Sequence, residues 1–272
     1  MNNQNIFRTF KPQDLQVQKY VDYYYLDIKP ENIITEYECF PHYNNTISLY
    51  KSHNRLDIAD MKFLEIAKPI QIFTPVREKV LNVKQTGKVH RIVIVFKAFG
   101  INQFYKNIDF STIIHYYSFF TDSEIQDLLS SEDVEIITKY LDRFLLLRFQ
   151  EISNPIIEKS LISIFENTEN FNVEKLSKEL GISRKHINRV FKQNIGVPIK
   201  KFHQIVAFRK TVEKKLHQNS VENFTQIAHE FQFFDQSHFN KVYKNFTNNS
   251  PKAFFNKASL LGQEDIVWHL KD

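Results

Sequence analysis

The sequence predicts an α+β protein: a β-rich, barrel-like N-terminal domain with helices of its own, then an all-α domain of two helix-turn-helix units joined by a long helix. Three observations carry this prediction. Residues 33–96 break into short β-branched and aromatic runs, residues 155–256 have helical spacing, and one segment of the second part recurs 52 residues later.

A chain of 272 residues has room for two ordinary domains, each with its own core. Hydrophobic residues at 42% and charged residues at 25% describe a folded protein rather than a disordered one. No apolar run approaches the ~20 residues of a membrane span, so a membrane protein is not expected. The first residues lack the basic start, apolar stretch and small-residue cleavage site of a secretory signal, and Cys39 is the only cysteine. A cytoplasmic location follows as the expectation. The net charge of +5 is unevenly spread: residues 1–153 carry 18 Lys and Arg against 19 Asp and Glu, whereas residues 154–272 carry 18 against 12. A polyanionic partner would therefore sit on the second part.

Strands are expected at 33–37, 45–50, 70–74, 79–83 and 90–96, separated by Pro, Asn and Gly, and together they suggest a small antiparallel sheet or barrel. Short helices are expected at 101–107 and 122–129, and a long one at 131–152. In the long one, Val134, Ile137, Leu141, Phe144 or Leu145, and Phe149 recur at three-to-four spacing, and Ser131 is the expected N-cap. Asn154-Pro155 then punctuates the chain, because a residue before proline leaves the helical region and proline starts helices well. The domain boundary is placed there, giving a β-rich domain at 1–153, a helical domain at 154–258 and a C-terminal tail at 259–272. Beyond the boundary, helices are expected at 155–166, 173–180, 183–193, 198–218, 224–231, 235–246 and 251–256, with no strand.

The repeat decides what the second part is. Ile187-Asn188-Arg189-Val190-Phe191-Lys192-Gln193 matches Phe239-Asn240-Lys241-Val242-Tyr243-Lys244-Asn245 in residue type at every position. Each copy reads as a short helix, a tight turn and a second helix, the grammar of a DNA-binding helix-turn-helix. In the first copy Gly181 supplies the left-handed turn residue, Ile182 points inward and Ser183 caps the second helix. Ile187, Val190 and Phe191 form its core side, while Arg184, Lys185, Asn188, Arg189 and Lys192 face out, with cations for phosphates and forks or amides for base edges. In the second copy Asp235 caps, Phe239, Val242 and Tyr243 pack, and Gln236, His238, Asn240, Lys241 and Lys244 remain outside. The bland alternative, solvated faces of ordinary amphipathic helices, fits one such helix better than a duplicated pair. The joining helix, about 20 residues and about 30 Å long, compares with a turn of B-DNA of about 34 Å.

With these residues in place, 156–255 resembles the AraC/XylS family of transcription regulators. The carrying motif is Ile227-Ala228, Phe233-Phe234-Asp235-Gln236-Ser237-His238-Phe239, Tyr243-Lys244 and Ser250-Pro251, with 176–202 similar to the family's first unit. The resemblance implies base contacts from Lys185, Asn188 and Arg189 in the first unit and from Gln236, Ser237, His238 and Lys241 in the second. It also implies double-stranded DNA as the main partner and RNA polymerase as a further one. Two positions depart from the family's glycines. Asn248 tolerates a left-handed conformation, whereas Gln232 would tilt the second recognition helix.

The same resemblance implies a small-molecule sensor or a dimerisation surface in the N-terminal part. Tyr23, Tyr24, Tyr25, Phe40, His42, Tyr43 and Tyr50 are candidates to line a pocket, against the commoner reading of aromatic core. Cys39 and His42 are too few for a metal, and no cofactor is called for. Leu145-Leu146-Leu147 and Phe149 give the 131–152 helix more apolar surface than one packing stripe uses, which suggests a homodimer or a deeper burial. A catalytic triad, P-loop, GxGxxG or metal cluster is absent from the sequence, so no enzyme activity is expected. The remaining alternatives are a constitutive DNA-binding adaptor and an enzyme carrying a DNA-binding appendix.

Overall fold

The structure, a computed structural model, describes residues 4–114, 117–216, 224–231, 233, 235–261, 264 and 266–271. The first part runs β1 (Ile6–Phe10), the short helix α1 (Leu15–Gln18), β2 (Val21–Lys29), β3 (Ile34–Cys39), β4 (Asn45–Tyr50), β5 (His53–Asp57), β6 (Asp60–Phe63), β7 (Ile70–Thr74), β8 (Leu81–Thr86) and β9 (Val89–Phe96). Helices α2 (Asp122–Leu129) and α3 (Val134–Leu146) follow. The second part is α4 (Pro155–Glu166), α5 (Val173–Leu180), α6 (Arg184–Ile195), α7 (Ile199–Leu216), α8 (Phe224–Glu230), α9 (Gln236–Thr247) and α10 (Pro251–Lys257), closed by β10 (Ser259–Leu261) and β11 (Ile266–Lys271).

The strands form two facing sheets, in the orders β1-β2-β9-β4-β7 and β10-β11-β3-β8-β6-β5. Pairings are antiparallel except for β6 with β8. Side-chain alternation sorts β2 and β9 into two cores. Tyr23, Tyr25, Val93 and Val95 point between the sheets, where they meet Tyr37, Val83, Ile266 and Trp268. Tyr24, Leu26, Ile92, Ile94 and Phe96 point the other way, onto Phe119, Leu128, Leu141, Phe144 and Leu145 around α2 and α3. With both faces covered, β2 is buried along nearly its whole length and shows no polar alternation.

Two expected helices are shorter than their sequence pattern. The 101–107 helix is one 3₁₀ turn, Ile101–Gln103. The long helix starts two residues late, because Asp133 and not Ser131 is its N-cap, accepting from Glu135 N at 2.8 Å. Ser131 Oγ instead accepts from Asp133 N at 3.0 Å, in the turn before. The helix also ends early, since Gln103 captures the following backbone: Gln150 N donates to Gln103 O at 2.8 Å, and Ile152 N and O pair with the Gln103 side chain at 2.8 and 3.0 Å.

In the second part, Asn154 caps α4 with Pro155 in its first turn. Ile164, Leu176, Ile187, Phe191, Phe202, Phe208, Phe239, Tyr243 and Phe254 share one core. Phe40, Val76, Phe99 and Val267 belong to that same core, so β-domain residues are built into the packing of the helical part. The residues read as a C-terminal tail, 259–272, contribute β10 and β11, with β11 paired to β3 from Trp268↔Cys39 to Lys271↔Glu36. An unpaired β3 edge would leave a row of backbone donors and acceptors open, and β11 satisfies it.

Candidate nucleic-acid interface

The first unit is α5, a turn and α6. Gly181 ends α5 in the left-handed conformation, φ 64°, with nothing within 4 Å of where a Cβ would stand, so backbone geometry alone favours glycine. Ser183 then caps α6, accepting from His186 N at 3.2 Å. Ile187, Phe191 and Ile195 are buried, and Val190 packs half-buried against the same core. Arg184, Lys185, Arg189 and Lys192 are exposed. Asn188 is half-buried and its Oδ1 is enclosed without a hydrogen-bond partner, so its amide must turn outward to meet a base. Arg189 Nη2 donates to His186 Nδ1 at 3.0 Å, which draws His186 onto the surface that the sequence had assigned to its neighbours.

The second unit is α8, a turn and α9. Asp235 caps α9 through His238 N at 2.6 Å. Phe239, Val242, Tyr243 and Phe246 are buried, while Gln236, Ser237, Asn240, Lys241 and Lys244 are exposed. His238 lies half-buried beside the Phe233 ring, at 5.7 Å between centroids. Lys244 Nζ donates to Asn248 O at 2.8 Å, so this cation is folded toward the end of its own helix. Asn248 adopts the left-handed conformation expected of it, φ 59°. Gln232 and Phe234 lie outside the described residues, and so does the expected tilt from Gln232.

The starts of α4 and α5 differ in charge from those of α6 to α10. A helix N-terminus carries a partial positive charge that acidic residues normally offset, as Glu158 does in α4 and Glu174 in α5. The first turns of α6 and α9 have no acidic residue, and α6 opens with Arg184 and Lys185. At α6 the uncharged Ser183 cap, the dipole and the cations suit an anion such as a phosphate, whereas the Asp235 cap sets a carboxylate at the start of α9. Arg184 and His238, one from each unit, line a common crevice with Lys200, His203 and Gln204 of α7. The repeat gave no signal for these α7 residues, because they lie between its copies.

Between the two sheets is a cavity of about 120 Å³. Of the aromatic candidates, Tyr23, Tyr25, Phe40, His42 and Tyr50 line it, together with Cys39. Tyr24 faces the opposite core, donating its hydroxyl to Asp142 Oδ1 at 2.8 Å, and Tyr43 packs on Phe165 and Phe202 of the helical part. At the cavity wall Arg91 is ion-paired with Asp27 at 2.8 Å and donates to the hydroxyls of Tyr37 and Tyr50 at 2.9 and 3.0 Å. Burial pushes the Tyr25 and Tyr37 hydroxyls well above the usual tyrosine range, so they are neutral dipoles toward Arg91. Arg77 and Arg209 also line the cavity, and Arg209 comes from α7. Among the described residues, no group of three or more His, Cys, Asp or Glu is placed to hold a metal ion, and no helix is long and apolar enough to cross a membrane.

On α3, Leu145 is fully buried, while Ile136, Leu146 and Leu147 are 42, 38 and 71% exposed. Half of the apolar excess in the sequence is thus absorbed by the domain's own core and half is left outside.

A family model for the helix-turn-helix domain matches residues 176–257. Among solved structures, the chain is similar to ToxT from Vibrio cholerae in its P21 form, at 14% identity over 93% of this chain and 97% of that one, with a TM-score of 0.44. It is also similar to wild-type ToxT of Vibrio cholerae strain SCE256 with an unsaturated fatty acid bound, at 12% identity over 85% and 94% of the two chains, with a TM-score of 0.47. No curated protein matches the chain.

Proposed function

We propose that the chain is a DNA-binding regulator of the AraC/XylS type, in which α6 and α9, within the helix-turn-helix match at residues 176–257, read two adjacent major-groove segments of one double-stranded operator. The observation that carries this is the pair of capped helices with buried apolar sides and outer rows of cations and amides. Arg189, Lys185 and Asn188 read bases in the first segment, and Gln236, Ser237, His238 and Lys241 in the second. Arg184, Lys192 and Lys244 hold phosphates. Residues 1–153 serve as the sensing domain and residues 154–258 as the reader, working in the cytoplasm with RNA polymerase as the downstream partner and without catalysis.

The test is retention of genomic DNA fragments by the purified chain across a salt series. Arg189→Ala is expected to weaken binding by about 1–3 kcal/mol at particular base pairs. Lys192→Ala is expected to weaken all sequences alike and to reduce the salt slope by about one. Equal loss from both variants on every sequence would reduce the helices to non-specific binders.

We further propose small-molecule control through the cavity. Asp27 already offsets Arg91, and Arg77, whose Nε is enclosed without a hydrogen-bond partner, gives the lining a cation suited to a small organic anion; Arg209 of α7 also lines the cavity. An occupant would touch α7, the helix that joins the two reading units. A series of carboxylates in a thermal-shift assay tests this, because a ligand that binds only the native state raises Tm.

A further inference from the structure

The C-terminal strand belongs to three structures at once. It extends the second sheet at β3. Its Ile266, Val267 and Trp268 line the cavity. Trp268 stacks on Tyr37 with centroids 4.0 Å apart and covers the Arg91 guanidinium at 5.6 Å. Toward the helical part, Val267 enters the core of the DNA-reading half. The His269 ring sits between Phe40 of the β-domain and Phe254 of α10, at 4.5 and 5.0 Å, with its Nε2–H donating to Phe254 O at 2.9 Å. Beyond it Lys271 reaches Asn82 at 2.9 Å.

The first unit has a separate anchor on the β-domain. Gly196, at the end of α6, approaches so closely that a Cβ there would stand 2.7 Å from Phe110 O, and Asn102 Nδ2 donates to Asn194 O at 3.3 Å. Both units are therefore pinned to one body, the second through α10 and β11. Two recognition helices that must settle into successive grooves of a duplex need freedom to adjust to its pitch.

We propose that β11 is a releasable strap: seated on β3, it closes the cavity and pins the second helix-turn-helix unit; released, it opens the cavity wall and frees that unit to follow DNA. β11 and its outer neighbour β10 are the last two strands on that side of the second sheet, and such a terminal pair can leave together without breaking the sheet behind it. The linkage runs both ways, so DNA that selects the released state loosens the strap, and whatever steadies the seated strap weakens DNA binding. This rests on the DNA-binding reading above.

Trp268 is the only tryptophan of the chain, so tryptophan emission, excited at the red edge where the tyrosines do not absorb, reports on the strap alone. The experiment saturates the full chain with a genomic DNA fragment that it retains, and follows Trp268 emission and acrylamide quenching. In parallel, the affinity for that fragment is measured for a chain ending at Ala258 and for Trp268→Cys, oxidised with diamide to join Cys39, its register partner. The expected results are a red shift and stronger quenching on DNA binding, at least about fivefold tighter binding by the shortened chain, and at least about fivefold weaker binding by the cross-linked one, reversed by reductant. Unmoved emission with all affinities within about twofold would overturn the strap. If the shortened chain does not fold, the emission of the unmodified protein and the cross-linked variant decide the matter by the same criteria. Failure of both the full and the shortened, folded chain to retain any DNA would instead overturn the DNA-binding reading itself, and the strap's role with it.

Discussion

Asp27→Asn is the sharpest test of what the cavity's central cation does. Arg91 and Asp27 side chains are 5 and 0% exposed and 2.8 Å apart, so the substitution leaves a guanidinium in a nearly dry site with only neutral acceptors, the hydroxyls of Tyr37 and Tyr50 and the introduced amide. Breaking a buried pair from one side costs about 3–5 kcal/mol. For a chain of this size, about 2–4 °C of Tm is lost per kcal/mol, which gives a fall of about 6–20 °C. Scanning calorimetry of the full chain measures it, and the double variant Asp27→Leu, Arg91→Met should recover most of the loss, because apolar replacement of both partners removes the uncompensated charge. A fall of only about 1 kcal/mol for Asp27→Asn would refute the reasoning. The Arg91 charge would then be balanced by something other than Asp27.

Three further outcomes follow from the geometry. Gly181→Ala should cost about 1–2 kcal/mol in urea unfolding, because the added methyl meets nothing and only the left-handed backbone resists it. Burial lowers the His90 imidazole to about 4, with Lys51 and His53 adding to the effect, so the folded state stays neutral where the unfolded chain protonates. The resulting stability is present above the unfolded value of about 6.5 and is lost as pH falls from there to about 4, a change of about 3 kcal/mol. His90→Gln should remove that segment from the pH profile of Tm, and an unchanged profile would show that the site is open to water. For the apolar surface left on α3, Leu146→Glu should shift sedimentation at micromolar concentration from dimer to monomer. A wild-type chain that sediments as a monomer would end the dimer proposal.

Legibility in the sequence followed the locality of the forces. The helices of the second part were readable to within a residue or two because Asn154-Pro155, Ser183, Asp235 and Ser250-Pro251 fix their starts by short-range hydrogen bonds. The outward faces of α6 and α9 were readable for the same reason, since helical period alone separates Ile187 and Phe191 from Arg184 and Lys192. What escaped depends on distant partners. Strand β2, with its Tyr23-Tyr24-Tyr25 run, carries no alternation because both of its faces are covered. The β5–β6 hairpin is polar and half-exposed, and β10 and β11 exist only because β3 offers an edge. The end of α3 is set by Gln103, some fifty residues earlier in the chain. Which surface side chains are already engaged, such as Lys244 with Asn248 O and Arg189 with His186, is likewise set by rotamers that a residue pattern does not encode.

The joining helix acts through its packing as well as its length. Its described 18 residues, Ile199–Leu216, span about 27 Å, short of the 34 Å turn of B-DNA. More telling is its burial: Phe202 meets Phe191 of the first unit, Phe208 meets Tyr243 of the second, and Thr211 shares a hydrogen bond with the Tyr243 hydroxyl at 2.6 Å. At its far end Lys214 is ion-paired with Glu230 of α8. Arg209, between these contacts, reaches the cavity wall. A helix held this way is the common core of both units, so the spacing of the recognition helices is set by packing around α7 as well as by its length. With β11 seated, a shift of α7 is therefore passed to both reading heads, because close-packed interiors transmit displacement instead of absorbing it. If an occupant of the cavity changes DNA affinity by some factor through Arg209, bound DNA must change the occupant's affinity by that same factor. Titrating the ligand in the presence and absence of operator measures the coupling, and a factor of one would show that the cavity and the reading heads do not communicate.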